Sequence, residues 1–209
     1  SHALAFSVVT DDSNPIWANE TRLGKYQNAW TILNQSSNVI YYLSKSTFSK
    51  ANNLWGENFT CVSVRMSNVT NSTDLNSPNS AQERMSHFAF RNSSNETVTY
   101  NLNTTAVKTY NYSEDNAIQY ILPNCSVITK TVIFTDGEAC SLLSVPDEDG
   151  GKGCELWVKE DYLKNNTTPK CCYFLFDLLC AETGSYTPYN AQCHSEDPTK
   201  PTSKEEDGK

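Results

Sequence analysis

One carboxylate in this chain sits where a strand could bury it. Cys154-Glu155-Leu156-Trp157-Val158 reads as a β-strand, whose side chains alternate between two faces. Glu155 and Trp157 then share one face, and Cys154, Leu156 and Val158 share the other. On a wet face Glu155 needs no explanation, whereas in an apolar interior a lone carboxylate is costly without a partner. Other chemistry is sparse. The three histidines are His2, His87 and His194, and the first and last stand near the ends of the chain. They form no Ser/His/Asp or Cys/His arrangement, and the sequence has no phosphate loop and no HExxH. An enzyme is therefore not expected, and neither is a cofactor. The acidic stretch PDEDGGKG (146–153) lacks the ligand spacing of an EF-hand and reads as a hairpin turn between strands. Cys171 and Cys172 are adjacent rather than spaced as CxxC, so structural disulfides are expected in place of a metal or redox site.

The bulk of the sequence sets the compartment and the partners. The 209 residues suffice for one domain with a real core. A net charge of -8 disfavours nucleic acid and anionic membranes, which want a basic patch. No apolar run approaches about 18 residues, so no membrane span is expected. Eight cysteines stand beside twelve N-x-[ST] sequons, a combination that reads as a secreted, extracellular glycoprotein. The sequons lie at Asn19, Asn34, Asn58, Asn68, Asn71, Asn92, Asn95, Asn103, Asn111, Asn124, Asn165 and Asn166. Asn165 and Asn166 overlap, so one glycan is expected there, at Asn165, and Cys125 at the middle position makes Asn124 a poor acceptor. The numbering reads as that of a mature chain, because no apolar segment of a signal peptide precedes Ala3-Leu4-Ala5.

The elements that must position Glu155 are mostly strands. Residues 1–14 are polar and expected to be loose, and a short helix is expected within Trp17–Trp30. Strands rich in Tyr, Val, Thr, Ile and Phe follow at 38–48, 58–66, 85–90, 97–103, 105–112, 117–121, 126–134, 140–145 and 154–158. Consecutive short strands with no helices between them mean an antiparallel sandwich or barrel. In 41–48 neither alternate set is cleanly apolar, and a barrel whose lumen holds a ligand mixes polar and aromatic residues in this way. PKCCYFLFDLLCAE (169–182) is continuously apolar and reads as a helix pinned by cysteines, while 195–209 has no apolar residue and reads as a disordered acidic tail. The domain is thus expected over 15–194.

Several stretches, in this order, resemble the tick salivary lipocalins, and among them the histamine-binding proteins. They are KYQNAW (25–30), NVIYYLSKST (38–47), LWGENFTCV (54–62), TAVKTYNYSEDNAIQY (105–120) and GCELW (153–157). The resemblance runs from about Trp17 to Cys193. It implies a mainly β fold: an eight-stranded antiparallel lipocalin barrel, a short N-terminal helix, and a C-terminal helix packed outside. It also implies the bridges Cys61–Cys193 and Cys140–Cys172, with Cys154–Cys180 as a third, leaving Cys125 and Cys171 for a fourth or an intermolecular bridge. Eight cysteines allow 105 pairings, so only the resemblance selects this one.

By the same resemblance Glu155 points into the barrel and helps hold a cationic amine, beside the aromatic walls Trp55 and Tyr120. Alternation then turns Trp157, Tyr120, Ile118, Leu102, Val64 and Phe48 to the lumen. The opposing reading of Glu155 is a carboxylate hydrogen-bonded to a lumen tyrosine or water. Other family acids are replaced here: one falls in KANN (50–53), at Asn52 or Asn53, one on Leu102, and one on Ser141. Family aromatics fall on Ile118 and Thr129. The expectation is a secreted protein that sequesters a small host mediator, a biogenic amine (histamine or serotonin) first, bound at most once and at the Glu155 end. The alternative is a hydrophobic lipid (cholesterol, leukotriene or fatty acid) in a lumen that has lost acids. A host protein or cell surface stands as a further partner class.

Overall fold

The computed structural model describes residues 14–51, 54–68 and 83–194. The expectations for the loose N-terminal segment, the acidic tail, Asn52, Asn53, Asn71 and the side chain of Asn68 lie outside these residues.

The chain enters through three short pieces in place of one helix: α1 (Glu20–Leu23), a 3₁₀ turn (Gly24–Tyr26) and α2 (Ala29–Leu33). Asparagines start both helices, Asn19 accepting from the Arg22 amide and Asn28 from the Trp30 amide. Strands β1 (Tyr41–Ser46), β2 (Lys50–Ala51), β3 (Gly56–Glu57), β4 (Thr60–Asn68) and β5 (Arg84–Arg91) follow. Next come β6 (Thr97–Val107), β7 (Ala117–Ile121), β8 (Val127–Thr135), β9 (Cys140–Val145) and β10 (Gly153–Lys159). Helices α3 (Glu160–Lys164) and α4 (Lys170–Leu179) end the fold. The strands expected at 97–103 and 105–112 are one long strand, β6, because Asn103–Val107 continues into register with β7 instead of turning.

Eight strands close into an antiparallel barrel in the order β1-β10-β9-β8-β7-β6-β5-β4, while β2 and β3 form a separate hairpin. The mixed faces of 41–48 have a cause in the register. Leu43 stands opposite Trp157 and Ser46 opposite Glu155, with a shift between Leu43 and Lys45. A bulge of this kind inserts one residue and switches the side-chain phase. Tyr41 and Leu43 therefore point inward before it, and Ser46 and Phe48 after it.

Two apolar clusters flank the barrel wall. The lumen holds Leu43, Phe48, Trp55, Val62, Val64, Phe88, Phe90, Leu102, Ile118, Tyr120 and Trp157, with Ala29 and Leu33 of α2 closing one end. The outer cluster packs α4 on β9 and β10. Cys172, Phe176 and Cys180 recur every four residues on one helix stripe and meet Cys140, Leu142, Cys154, Leu156 and Val158. Bridges Cys140–Cys172 and Cys154–Cys180 fasten that stripe, and Cys61–Cys193 fastens β4 to the C-terminal segment. Each closes a loop whose entropy the unfolded chain loses, which stabilises by about 2–4 kcal/mol. Cys125 and Cys171 are exposed free thiols.

Candidate functional site: a charged pair in the barrel lumen

Glu155 faces inward and is 1% exposed. The partner that sequence reasoning missed is Lys130 on β8, also 1% exposed. Its Nζ donates to both carboxylate oxygens of Glu155, at 2.8 and 2.7 Å. Two indoles complete the carboxylate: Trp55 Nε1–H donates to Oε1 at 3.3 Å, and Trp157 Nε1–H to Oε2 at 3.0 Å. The ammonium lies 5.3 Å from the Trp55 ring centroid, 5.5 Å from that of Tyr120 and 6.0 Å from that of Trp157, within cation–π range of all three. The buried acid thus meets a cation supplied by the chain itself.

Each member is placed by a different element. Lys130 stands directly opposite Ile118, and Glu155 opposite Leu143 and Ser46, so all face the lumen. Trp55 stands immediately before β3 and is 2% exposed. Its ring meets Phe88 edge-on at 5.1 Å and Phe90 at 5.4 Å. Phe88 also packs against Tyr120 and Trp157. Burial, reinforced by the Glu155 charge, pushes the Tyr120 hydroxyl far above its ordinary value.

A small cavity of about 10 Å³, partly open to solvent, adjoins the pair and is lined by Phe48, Ala51, Leu54, Trp55, Ile128, Lys130, Val145, Asp147, Glu148 and Glu155. Three carboxylates and one ammonium stand in this lining. Glu148 is buried, and Asp147 beside it is exposed. Gly153 makes room for this arrangement, because a Cβ there would lie 2.5 Å from the Val145 carbonyl and 2.9 Å from Glu148 Cβ. A second cavity, of about 20 Å³, lies at the α2 end among Ile32, Gln35, Val39, Tyr41, Val64, Arg65, Met66 and Ser141.

The lumen therefore gathers Glu155, Trp55, Tyr120, Ile118, Leu102, Val64, Phe48 and Trp157, all buried. Of these, Glu155, Trp55 and Phe48 line the mouth pocket and Val64 the α2-end pocket. Leu102 and Ile118 are core residues. Lys130 had a legible signal, since in Ile128-Thr129-Lys130-Thr131-Val132 it shares the period-two face of two aliphatics. Gln27 of KYQNAW was missed too: it is buried and its Nε2 donates to the carbonyls of Trp17 and Ile133, while Tyr112 donates to its Oε1. It ties the entry segment to β8. Asp136, Cys140 and Cys172 approach within ligand spacing, but both cysteines are spent in one disulfide.

Sequon asparagines Asn19, Asn34, Asn58, Asn95, Asn103, Asn111, Asn124, Asn165 and Asn166 are exposed, and Asn92 is half-buried. Among the described residues no helix is long and apolar enough to cross a membrane.

Residues 17–195 match the family described as tick histamine binding protein. The male-specific histamine-binding salivary protein of Rhipicephalus appendiculatus is 36% identical over 78% of this chain and 78% of its own. Female-specific histamine-binding protein 1 of the same tick is 30% identical over 91% of this chain and 93% of its own. Among solved structures, H1 crustacyanin from the lobster Homarus americanus superposes with a TM-score of 0.52 at 11% identity, over 85% of this chain and 88% of that one. That likeness is one of fold, and the fold is a lipocalin barrel.

Proposed function

The chain belongs to the tick histamine-binding protein family, and on that premise we propose that it is a secreted salivary lipocalin that sequesters a small biogenic amine of the host. The observation that carries the amine is the mouth pocket. Its lining carries three carboxylates, Asp147, Glu148 and Glu155, beside Lys130 and between the aromatic walls Phe48 and Trp55. A cation gains from both features. The free cavity inside this lining is about 10 Å³, room for about one water. An amine ring therefore enters by parting the side chains of the lining, and a sterol would need a far larger opening.

The histamine-binding names of the relatives support the same class. Sequestration needs no reaction: affinity and abundance lower the free mediator and blunt host inflammation. Glycans on the exposed sequons fit a role in saliva.

A second reading has its own observation. The α2-end cavity is walled by Ile32, Val39, Val64 and Met66, an apolar lining that would favour a hydrophobic mediator such as a fatty acid, leukotriene or cholesterol once opened.

Calorimetric titration of the secreted protein with histamine, serotonin, a fatty acid and cholesterol separates the two. The amine reading expects one amine per chain, weakened by the pair Asp147→Asn and Glu148→Gln. Absence of amine heat together with a lipid retained in native mass spectrometry would replace it with the second reading.

A further inference from the structure

We infer that Lys130 is a tethered surrogate ligand, an ammonium of the chain's own that fills the innermost amine position of the barrel and so sets which ligands enter and how deeply. The inference rests on the amine reading only in naming what is kept out.

The box around Nζ has what a free alkylammonium needs. Both Glu155 oxygens are in hydrogen-bond contact, and three aromatic rings face the cation. Trp55 and Trp157 hold the carboxylate from the other side, so it is aimed at the cation and not at solvent. Stability does not require this arrangement, because well-packed apolar residues in place of a buried ion pair are often neutral or stabilising. What the pair changes is access. A ligand amine reaching Glu155 must displace Lys130, and a displaced Lys130 has to carry its charge out of a lumen in which it is 1% exposed. The ligand therefore stops at the mouth, among Phe48, Asp147 and Glu148, and one amine binds per chain. Shortening Lys130 should open a second position, shaped like the missing side chain.

The test is Lys130→Ala with n-propylammonium, which replaces the atoms removed beyond Cβ. In the variant, propylammonium should raise the melting temperature saturably and should outperform neutral propanol by about tenfold or more in effective concentration. The unmodified protein should show no such response, and histamine stoichiometry should rise from one to two in the variant. In the doubly substituted Lys130→Ala, Glu155→Gln protein the response should vanish. If Lys130→Ala does not fold alone, refolding with propylammonium but not with propanol supports the inference, and refolding with neither overturns it. Equal effects of propylammonium and propanol, or unchanged histamine stoichiometry, also overturn it. Propylammonium binding to Lys130→Ala with no amine binding to the unmodified protein would uphold Lys130 as surrogate and remove the mouth amine.

Discussion

Replacing Glu155 by Gln isolates the pair in a single atom change. The carboxylate takes four hydrogen bonds on two oxygens: two from Lys130 and one each from Trp55 and Trp157. A glutamine keeps one oxygen and turns an NH₂ toward groups that are all donors. At least one buried donor then loses its acceptor, and the Lys130 ammonium loses its counter-charge at 1% exposure. The three rings face it in both proteins and so leave the difference unchanged. Removing one partner of a buried pair costs about 3–5 kcal/mol, so a cost near 3 kcal/mol is expected. At about 2–4 °C per kcal/mol for a chain of this size, the melting temperature should fall by roughly 6–12 °C. Scanning calorimetry and urea unfolding followed by circular dichroism read this directly, with the urea slope unchanged. The doubly substituted Lys130→Met, Glu155→Leu protein should recover most of the loss, because no charge is then left stranded. A single variant within about 1 kcal/mol of the parent, the range of exposed pairs, would refute the reasoning. So would a double variant no more stable than the single one.

Three further outcomes follow. Non-reducing peptide mapping should recover Cys61–Cys193, Cys140–Cys172 and Cys154–Cys180, and any of these cysteines found free or paired elsewhere contradicts the fold. Burial first, with nearby carboxylates adding, raises the hydroxyls of Tyr41 and Tyr120 far above the ordinary value. Their contribution to stability is therefore complete below the unfolded tyrosine value of about 10 and lost as pH rises beyond it, where the unfolded state sheds protons that the folded state keeps. Ultraviolet titration should show these two tyrosines ionising only as the barrel unfolds, and a smooth titration of all eleven in folded protein would contradict it. Trp55→Ala removes an aromatic wall of the mouth pocket and should weaken amine binding by about tenfold, the equivalent of about 1.4 kcal/mol; unchanged affinity in calorimetry would take Trp55 out of the site.

Much of this architecture was legible from the run of short strands, and the disulfide pairing and the closed barrel from the family resemblance. The strand 117–121 matches β7 end for end, and 140–145 matches β9. The inward set from Phe48 to Trp157 came from alternation once the resemblance supplied a barrel. Two physical features hid the rest. A bulge after Leu43 changes the phase of β1 inside one strand, so no single period fits 41–48. β6 carries polar residues across its middle, Asn101, Asn103, Thr104 and Thr105, which read as a break although the strand pairs straight through them. Lys130 was overlooked for a different reason. A lysine in a strand is ordinarily a solvent-facing residue, and only the carboxylate across the lumen makes its burial tolerable. The question raised by Glu155 thus needed a residue 25 positions away, which no local pattern connects to it.

The most direct test of the account is the crystal structure of the chain with histamine. The account predicts one amine in the mouth pocket among Phe48, Trp55, Asp147 and Glu148, with Lys130 still bound to both oxygens of Glu155. An amine seated on Glu155 with Lys130 expelled, or an amine absent from this end of the barrel, would contradict it.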